Sequence, residues 1–180
     1  MKKIVIILFM FSFFASAKAN YDKLAYDHTF NSIDGKTINL SDYKDKVIIV
    51  VNVASRCGFT KQYKDLQKIW EKYKKQNVII IGVPTNNFRQ EPGNNAEIKE
   101  FCETTFGINF PMTEKVNVIG NQAHPFYKWA KLNYGKSAVP KWNFHKIIIG
   151  KNGKVSDTFG SVTNPSSTRF TNFLDREIKN

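Results

Sequence analysis

Residues 47–60, with the sequence VIIVVNVASRCGFT, constrain the fold of this chain more than any other segment. Their apolar first half, 47–53, is almost entirely β-branched, which predicts a strand that is buried on both faces. Cys57 follows the strand, and from Thr60 the pattern becomes helical. At such a junction the free N–H groups of a helix favour a thiolate, and the neighbouring Arg56 adds to that field. Cys57 is therefore the candidate reactive residue, and a buried structural cysteine is the alternative interpretation.

The pattern around this segment predicts a single α/β domain. A second apolar strand is expected over 77–83, and residues between the two strands carry apolar side chains at three- to four-residue intervals. A strand, a helix and a further buried strand form a parallel βαβ unit. We therefore expect a central mixed β-sheet flanked by helices, with an N-terminal β-hairpin at 30–40. Further helices are expected at 95–106, 124–132 and 166–178, an extended segment at 109–118, and a hairpin from 142–149 and 155–159.

The N-terminal 19 residues have the pattern of a secretory signal peptide. Lys2 and Lys3 precede an apolar stretch over 4–14, and Ala17-Lys18-Ala19 fits a cleavage site, with a cut after Ala17 as an alternative. Eleven apolar residues are too few to span a bilayer, which takes about 20. We therefore expect a signal peptide at 1–19, one domain at 20–180 without stable membrane insertion, and export to a periplasm or the cell exterior.

Charge and cysteine content narrow the function classes. The formal net charge of +12 becomes +9 without residues 1–19, and its lysines are spread along the chain, which indicates a solvated face rather than a nucleic-acid site. The two cysteines, Cys57 and Cys102, are too few for a disulfide scaffold, although a permanent disulfide or a catalytic pair is compatible with export. His28, His124 and His145 have no ligand-like spacing, so no metal site is expected.

The residues that follow Cys57 favour one kind of thiol chemistry. Gly58, Phe59 and Thr60 leave no CxxC motif, so the dithiol that thioredoxin-type exchange requires is missing. A lone thiolate instead suits attack on a peroxide, which forms a sulfenic acid. The departing oxygen needs hydrogen-bond donors, and neutral Asn, Gln and Trp side chains supply them. Donors of this kind follow the second strand at 86–87 and precede the later hairpin at 142–143.

Taken together, several short segments of the chain resemble the glutathione peroxidase family, a branch of the thioredoxin-fold thiol peroxidases. They occur in the family's order and cover roughly residues 30–178. Each segment alone is a weak signal, whereas the ordered set is specific. The segments are 52–60 (NVASRCGFT), 86–88 (NNF), 90–93 (QEPG), 110–112 (FPM), 115–116 (KV), 124–126 (HPF) and 142–144 (WNF).

The resemblance implies a thioredoxin-like fold and a catalytic group at one site. Cys57 is the expected peroxidatic nucleophile, while Trp142, Asn143 and a family glutamine that falls at Asn87 are expected to donate hydrogen bonds to the thiolate and the departing oxygen. The family's usual PCNQF is PTNNF here, at 84–88, and the loop that leads to Gln90 is one residue shorter than usual. Asn87 thus retains a carboxamide on a side chain one carbon shorter.

The role of Cys102 has two interpretations. Many cysteine-type members resolve the sulfenic acid with a second cysteine, but that position falls at Glu103 here. One residue on a helix turns the side chain by about 100°, and Cys102 shares the apolar face with Ile98 and Phe101. Cys102 is thus either a buried structural residue or a resolving cysteine. For the second role its helix would have to unwind, because bridged Cα atoms lie within about 7 Å.

The resemblance also bears on partners. The short segment 133–141 is similar to that of monomeric members, whose open site admits bulky lipid hydroperoxides or a protein reductant. It implies no cofactor, with glutathione or a thioredoxin-like protein as the thiol co-substrate. The sequence therefore predicts an exported peroxidase that reduces hydrogen peroxide and organic or lipid hydroperoxides. The alternatives are a thiol–disulfide exchange protein, which the missing CxxC disfavours, and a non-catalytic binding module, which the intact surroundings of Cys57 disfavour.

Overall fold

The structure is a computed structural model that describes residues 21–180. The expected signal peptide at 1–19 lies outside the described residues. Within 21–180, no helix combines the length and the apolar character needed to cross a membrane. The strands are β1 (Thr29–Asn31), β2 (Thr37–Asn39), β3 (Val47–Val53), β4 (Val78–Pro84), β5 (Lys146–Ile149) and β6 (Val155–Phe159), and the helices are α1 (Gln62–Tyr73), α2 (Asn95–Phe106), α3 (Pro125–Tyr134) and α4 (Thr168–Glu177).

A four-stranded mixed sheet in the order β4-β3-β5-β6 forms the centre of the domain. β3 runs parallel to β4 and antiparallel to β5, and β6 completes the sheet as an antiparallel neighbour of β5. All seven residues of β3 are buried, as expected for a strand with neighbours on both sides and layers on both faces. The mixed sheet and the separate β1–β2 hairpin confirm the architecture that the sequence predicts.

Two hydrophobic cores cover the two faces of this sheet. Because side chains alternate along a strand, Ile49 and Val51 of β3 pack with α1, α2 and α4 on one face. Ile48 and Val50 face the other way, where they pack with α3 and the β1–β2 hairpin. Each face of the sheet is therefore covered by a separate layer, which leaves the ends of the strands as the place where polar side chains can lie.

Helix α2 coincides with its expected bounds because both of its ends carry strong capping signals. The Asn94 side chain accepts a hydrogen bond from the Glu97 N–H, and the Glu97 carboxylate accepts one from the Asn94 N–H. At the other end, Gly107 adopts a left-handed conformation with φ of 63° and donates to the carbonyl of Glu103. Opening α2 would break both caps.

Two segments differ from the sequence-based expectation. The strand expected from 142 begins at Lys146, because Phe144 has a φ of 64° that interrupts any extended run. Trp142 and Asn143 consequently lie in a turn before β5 and do not open the strand. Residues 109–118 form no regular strand and contribute isolated bridges, Gly82 with Met112 and Ser32 with Thr113.

The turn between β5 and β6 depends on the absence of a side chain at Gly153. Its φ is 73°, and an added Cβ would lie 2.6 Å from a ring carbon of Tyr26. The Tyr26 hydroxyl donates to the carbonyl of Lys151 at 2.6 Å, so the ring is held in place. We expect Gly153→Ala to lower the free energy of unfolding by about 2 kcal/mol, through left-handed strain and this contact.

Urea unfolding followed by circular dichroism measures this loss. Gly160→Ala is the matched control, because no heavy atom lies within 4 Å of its added Cβ. Its free energy of unfolding should change by less than about 0.5 kcal/mol. Equal stabilities of the two variants would contradict the requirement for glycine at position 153.

Candidate active site

Cys57 lies in the loop between β3 and α1, and its sulfur receives a backbone hydrogen bond. The Phe59 N–H donates to Sγ at 3.4 Å. Thr60 closes the loop, since its Oγ1 accepts from the Cys57 N–H and donates to the carbonyl of Ala54, both at 2.9 Å. α1 begins only at Gln62, two residues later than the sequence pattern indicates. The donor at the sulfur is thus a turn amide, and N–H donors of this kind stabilise a thiolate.

The loop that follows β4 is hydrogen-bonded to the Cys57 loop. The Arg56 N–H donates to the carbonyl of Gln90 at 3.0 Å. The buried carboxylate of Glu91 accepts from the Ser55 N–H at 2.8 Å and from its hydroxyl at 3.0 Å. Burial raises the pKa of Glu91, although these two bonds oppose the rise. The structure therefore brings the loops after the two parallel strands together, as expected for carboxyl ends at one sheet edge.

The turn that carries Trp142 and Asn143 is fixed against the end of β3. The Asn52 side chain donates to the carbonyl of Trp142 at 3.1 Å. The backbone carbonyl of Asn52 accepts from the Phe144 N–H at 2.6 Å. Asn143 is fully buried, and its Nδ2 donates to Oε1 of Gln90 at 2.9 Å. Its Oδ1 is buried and, within the described chain, has no hydrogen-bond partner. Asn143 thus meets the loop after β4 through a carboxamide–carboxamide contact.

Trp142 borders an open cleft beside this turn. The side chain is 40% exposed, and its ring centroid lies 5.4 Å from that of Phe88. The cleft has a volume of about 420 Å³, and Phe59, two residues beyond Cys57, forms part of its wall with Val139 and Val162. It offers an apolar surface next to the Cys57 loop.

Asn87, which the resemblance assigns to the catalytic group, is hydrogen-bonded elsewhere. Its Oδ1 accepts from the Val118 N–H at 2.6 Å and the Thr85 hydroxyl at 3.0 Å, and its Nδ2 donates to Asn117 at 3.0 Å. The carboxamide that meets Asn143 is that of Gln90. The sequence analysis did not single out Gln90, although the QEPG segment and the shortened loop before it were visible signals.

The side chains expected to act together are thus gathered at one sheet edge without direct hydrogen bonds to the sulfur. Among residues 21–180, Sγ of Cys57 accepts a hydrogen bond from Phe59 and none from Trp142, Asn143 or Asn87. The roles that the resemblance assigns to these three side chains remain predictions. Their shared position is a consequence of the sheet, in which β3 has β4 and β5 as neighbours.

Cys102 has a different environment from Cys57, although both thiols are free. It is 1% exposed, within α2, and it packs in the same hydrophobic core as Ile98. Burial raises the pKa of the Cys102 thiol to about 11. Glu103, where the resemblance places the resolving cysteine of many cysteine-type members, is exposed. In this conformation Cys102 is therefore a protonated core residue.

Within the described part of the chain, no group of three or more His, Cys, Asp or Glu side chains is arranged to hold a metal ion. His145, beside the cleft, is neutral near pH 7, because burial, with help from Lys146 and Lys141, lowers its pKa to about 4.

Lys146 is a buried lysine that the sequence analysis missed, since it stands in an apolar strand. Its Nζ donates to Oε1 of Gln62 at 2.6 Å and to the carbonyl of Thr163 at 2.8 Å. The Gln62 Nε2 in turn donates to the carbonyl of Ser161, which forms part of the cleft wall. Burial lowers the pKa of Lys146 to about 7. This lysine therefore holds the cleft wall against α1 and β5.

The lowered pKa of Lys146 makes stability depend on pH. Between pH 7 and 10.5 the unfolded chain binds more protons at this site than the folded chain, so stability rises with pH across that window. In Lys146→Met this dependence is lost. We expect the wild type to gain stability relative to that variant by at most ~1.4 kcal/mol per pH unit.

Urea unfolding at pH 7 and pH 9.5 measures the difference. The exposed Lys64→Met variant is the control, and its pH profile should run parallel to that of the wild type. Parallel profiles for wild type and Lys146→Met would show that Lys146 contributes nothing to the pH dependence.

Comparisons with known proteins show the family of this chain. The family model described as glutathione peroxidase matches residues 25–131. The chain is 42% identical over 157 residues to a glutathione peroxidase of Lactococcus lactis subsp. cremoris, which covers 86% of this chain and 96% of that protein. It is 40% identical over 159 residues to the hydroperoxy fatty acid reductase gpx1 of Synechocystis sp., which covers 83% of this chain and 93% of that protein.

A solved structure confirms the fold. A thiol:disulfide interchange protein of the thioredoxin family from Chlorobium tepidum superposes with a TM-score of 0.63 at 18% identity, over 84% of this chain and 92% of that one. At this identity the likeness shows the thioredoxin-like fold alone, whereas the family match and the relatives above show the family. The chain belongs to the glutathione peroxidase family and is a peroxidase.

Proposed function

We propose that this peroxidase reduces hydrogen peroxide and organic hydroperoxides, including those of lipids, through a sulfenic acid at Cys57. The observation that carries the proposal is the Phe59 N–H directed at the sulfur of a free cysteine. This contact supports a thiolate in a loop that the Ser55–Glu91 bonds hold in place. Trp142 and Asn143 supply donors at the same sheet edge.

The proposed reaction has two stages. The Cys57 thiolate attacks the terminal oxygen of ROOH, the S–O bond forms as the O–O bond breaks, and RO⁻ leaves and takes a proton to become ROH. The sulfenic acid then reacts with a first thiol, releasing water and forming a mixed disulfide. A second thiol attacks that disulfide and restores Cys57. Hydrogen-bond donors near the departing oxygen stabilise the charge that develops on it.

Glutathione or a thioredoxin-like protein is proposed as the reductant. Cys102 is buried in a helix capped at both ends, and a thiol with a pKa of about 11 is a weak nucleophile near neutral pH. An external thiol therefore reaches the sulfenic acid first, unless α2 opens. Opening of α2 would make Cys102 the resolving residue, which is the alternative that the sequence left open.

The open cleft beside the Cys57 loop supports hydroperoxides with an apolar chain as substrates. Phe59, Val139 and Trp142 line it, and Val162 at its edge is exposed. An apolar surface of this kind suits an acyl chain better than a small polar peroxide alone. The Synechocystis relative is named as a hydroperoxy fatty acid reductase, and we propose the same substrate class for this chain.

We further propose that the protein works as an exported monomer without nucleic acid, metal or cofactor. Residues 1–19 have the charge and hydropathy pattern of a cleaved signal, and the positive net charge is spread over the chain. Thiol–disulfide exchange is the second candidate function, since proteins of that class share the fold. The residues after Cys57 offer no second thiol for it.

Mass spectrometry after one equivalent of peroxide tests the chemistry. We expect Cys57 to gain one oxygen atom, or a thiol adduct when glutathione is present, in both the wild type and Cys102→Ser. Cys57→Ser should lose peroxide consumption by at least ~1,000-fold, because the nucleophile is gone. A Cys57–Cys102 disulfide would instead establish the two-cysteine route. A Cys57 thiol that stays unmodified while peroxide is present would refute the proposal.

N-terminal analysis tests export. The full chain expressed in a bacterial host should yield a periplasmic or secreted protein that begins at Asn20, or at Lys18 if the cut follows Ala17. Replacing the small residues in Ala17→Leu and Ala19→Leu together should block processing, because signal peptidases require small side chains there. A protein that retains Met1 and stays in the cytoplasm would contradict the expectation.

A further inference from the structure

We propose that Gln90 is a positioning residue of the peroxide reaction, which holds the Asn143 carboxamide so that its free N–H faces the departing oxygen. The inference rests on the peroxidase chemistry proposed above and adds a residue to it. The resemblance places the family's catalytic carboxamide at Asn87, whereas the geometry points to a carboxamide three positions later.

The orientation of the Asn143 amide depends on one contact. Within residues 21–180, its side chain makes a single hydrogen bond, from Nδ2 to Oε1 of Gln90 at 2.9 Å, and its Oδ1 has no partner. The terminal torsion of asparagine is broad and nearly two-fold, so packing alone leaves the amide plane weakly defined. Nδ2 carries two hydrogens. Because Gln90 takes one, the other has a fixed direction and, within residues 21–180, no acceptor.

Gln90 is itself held by the loop that carries the nucleophile. Its carbonyl accepts from the N–H of Arg56, the residue before Cys57, at 3.0 Å. On its other side, the Glu91 N–H donates to the Asn86 side chain at 3.0 Å, and Arg89 has a φ of 57° that turns the chain. Gln90 therefore links the Asn143 amide to the backbone next to the sulfur.

The carboxamide of Asn87 is engaged elsewhere. It accepts from the Val118 N–H and the Thr85 hydroxyl and donates to Asn117. These bonds fasten residues 117–118 to the end of β4. A shorter side chain and a shorter loop thus coincide with a structure in which Gln90 reaches Asn143 and Asn87 does not.

The position of Asn143 predicts which step Gln90 affects. Peroxide attack expels an oxygen anion, which needs a hydrogen-bond donor, whereas alkylation by iodoacetamide expels iodide, which needs far less help. Misplacing the Asn143 N–H should therefore slow the peroxide reaction much more than alkylation of the same thiolate. A purely structural role for Gln90 would slow both reactions alike, through a displaced Cys57 loop.

Stopped-flow measurement of Cys57 oxidation in Gln90→Met tests the proposal. Methionine has nearly the same length but no strong acceptor, so the bond to Nδ2 is lost. We expect the second-order rate constant with hydrogen peroxide to fall on the order of 10- to 100-fold at a pH where the thiolate is fully formed, and that with iodoacetamide to change less than about 3-fold. Gln122→Met, an exposed position, is the matched control and should react like the wild type.

A double-mutant cycle separates positioning from an independent effect. If Gln90 acts through Asn143, Gln90→Met combined with Asn143→Ala should be no slower than Asn143→Ala alone. Losses that multiply would overturn the proposal. So would a larger loss of the peroxide rate in Asn87→Ala than in Gln90→Met, since the role would then belong to Asn87.

A replacement variant and the rate of the wild type separate the remaining outcomes. If Gln90→Met fails to fold by circular dichroism, Gln90→Asn replaces it, because one carbon fewer breaks the 2.9 Å contact without adding an apolar end. A wild type that does not react with peroxide refutes the proposed function itself. A wild type that reacts, together with a Gln90→Met variant of equal rate, refutes only the role of Gln90.

Discussion

The pairing of β3 with β4 on one side and β5 on the other is the constraint on which the site depends. Parallel pairing aligns Val53 with Pro84, so the loops that leave β3 and β4 emerge at the same edge. Antiparallel pairing aligns Val51 with Lys146, so the turn that enters β5 lies at that edge too. Three segments far apart in sequence therefore meet because of strand direction alone. The same strand pairing therefore forms the apolar centre of the sheet and places the polar site at the ends of its strands.

Local environment, not residue type, distinguishes the two cysteines. Both belong to one hydrophobic core, but Cys57 lies in a turn where an N–H points at its sulfur, and Cys102 lies inside a capped helix. Burial of Cys102 raises the pKa of its thiol to about 11, which keeps the proton on the sulfur. Glu91 is also buried, and its carboxylate accepts hydrogen bonds from the Ser55 N–H and hydroxyl, which orders the Ser55 backbone.

The elements that could be predicted best from the sequence are those whose bounds are determined by neighbouring residues. β3 and α2 lie within their expected bounds, since a β-branched run and a capping box with a C-terminal glycine are readable from neighbouring residues. The late start of β5 could not be predicted from neighbouring residues, because the N–H of the left-handed Phe144 donates to the backbone carbonyl of Asn52, a residue 92 positions earlier. The burial of Lys146 could not be predicted for a related reason. Its hydrogen-bond acceptors, Gln62 and Thr163, are distant from it in the sequence.

Gln90 illustrates where reasoning from motifs reaches its limit. A motif assigns a role to a position in the chain, whereas the chemistry requires a carboxamide at a place in space. Here the left-handed turn at Arg89 comes directly before Gln90, whose side chain contacts Asn143. Asn87 keeps the residue class of the motif but takes up a structural role at residues 117–118. In this chain the carboxamide that meets Asn143 is therefore that of Gln90, three positions after the one to which the motif assigns the role.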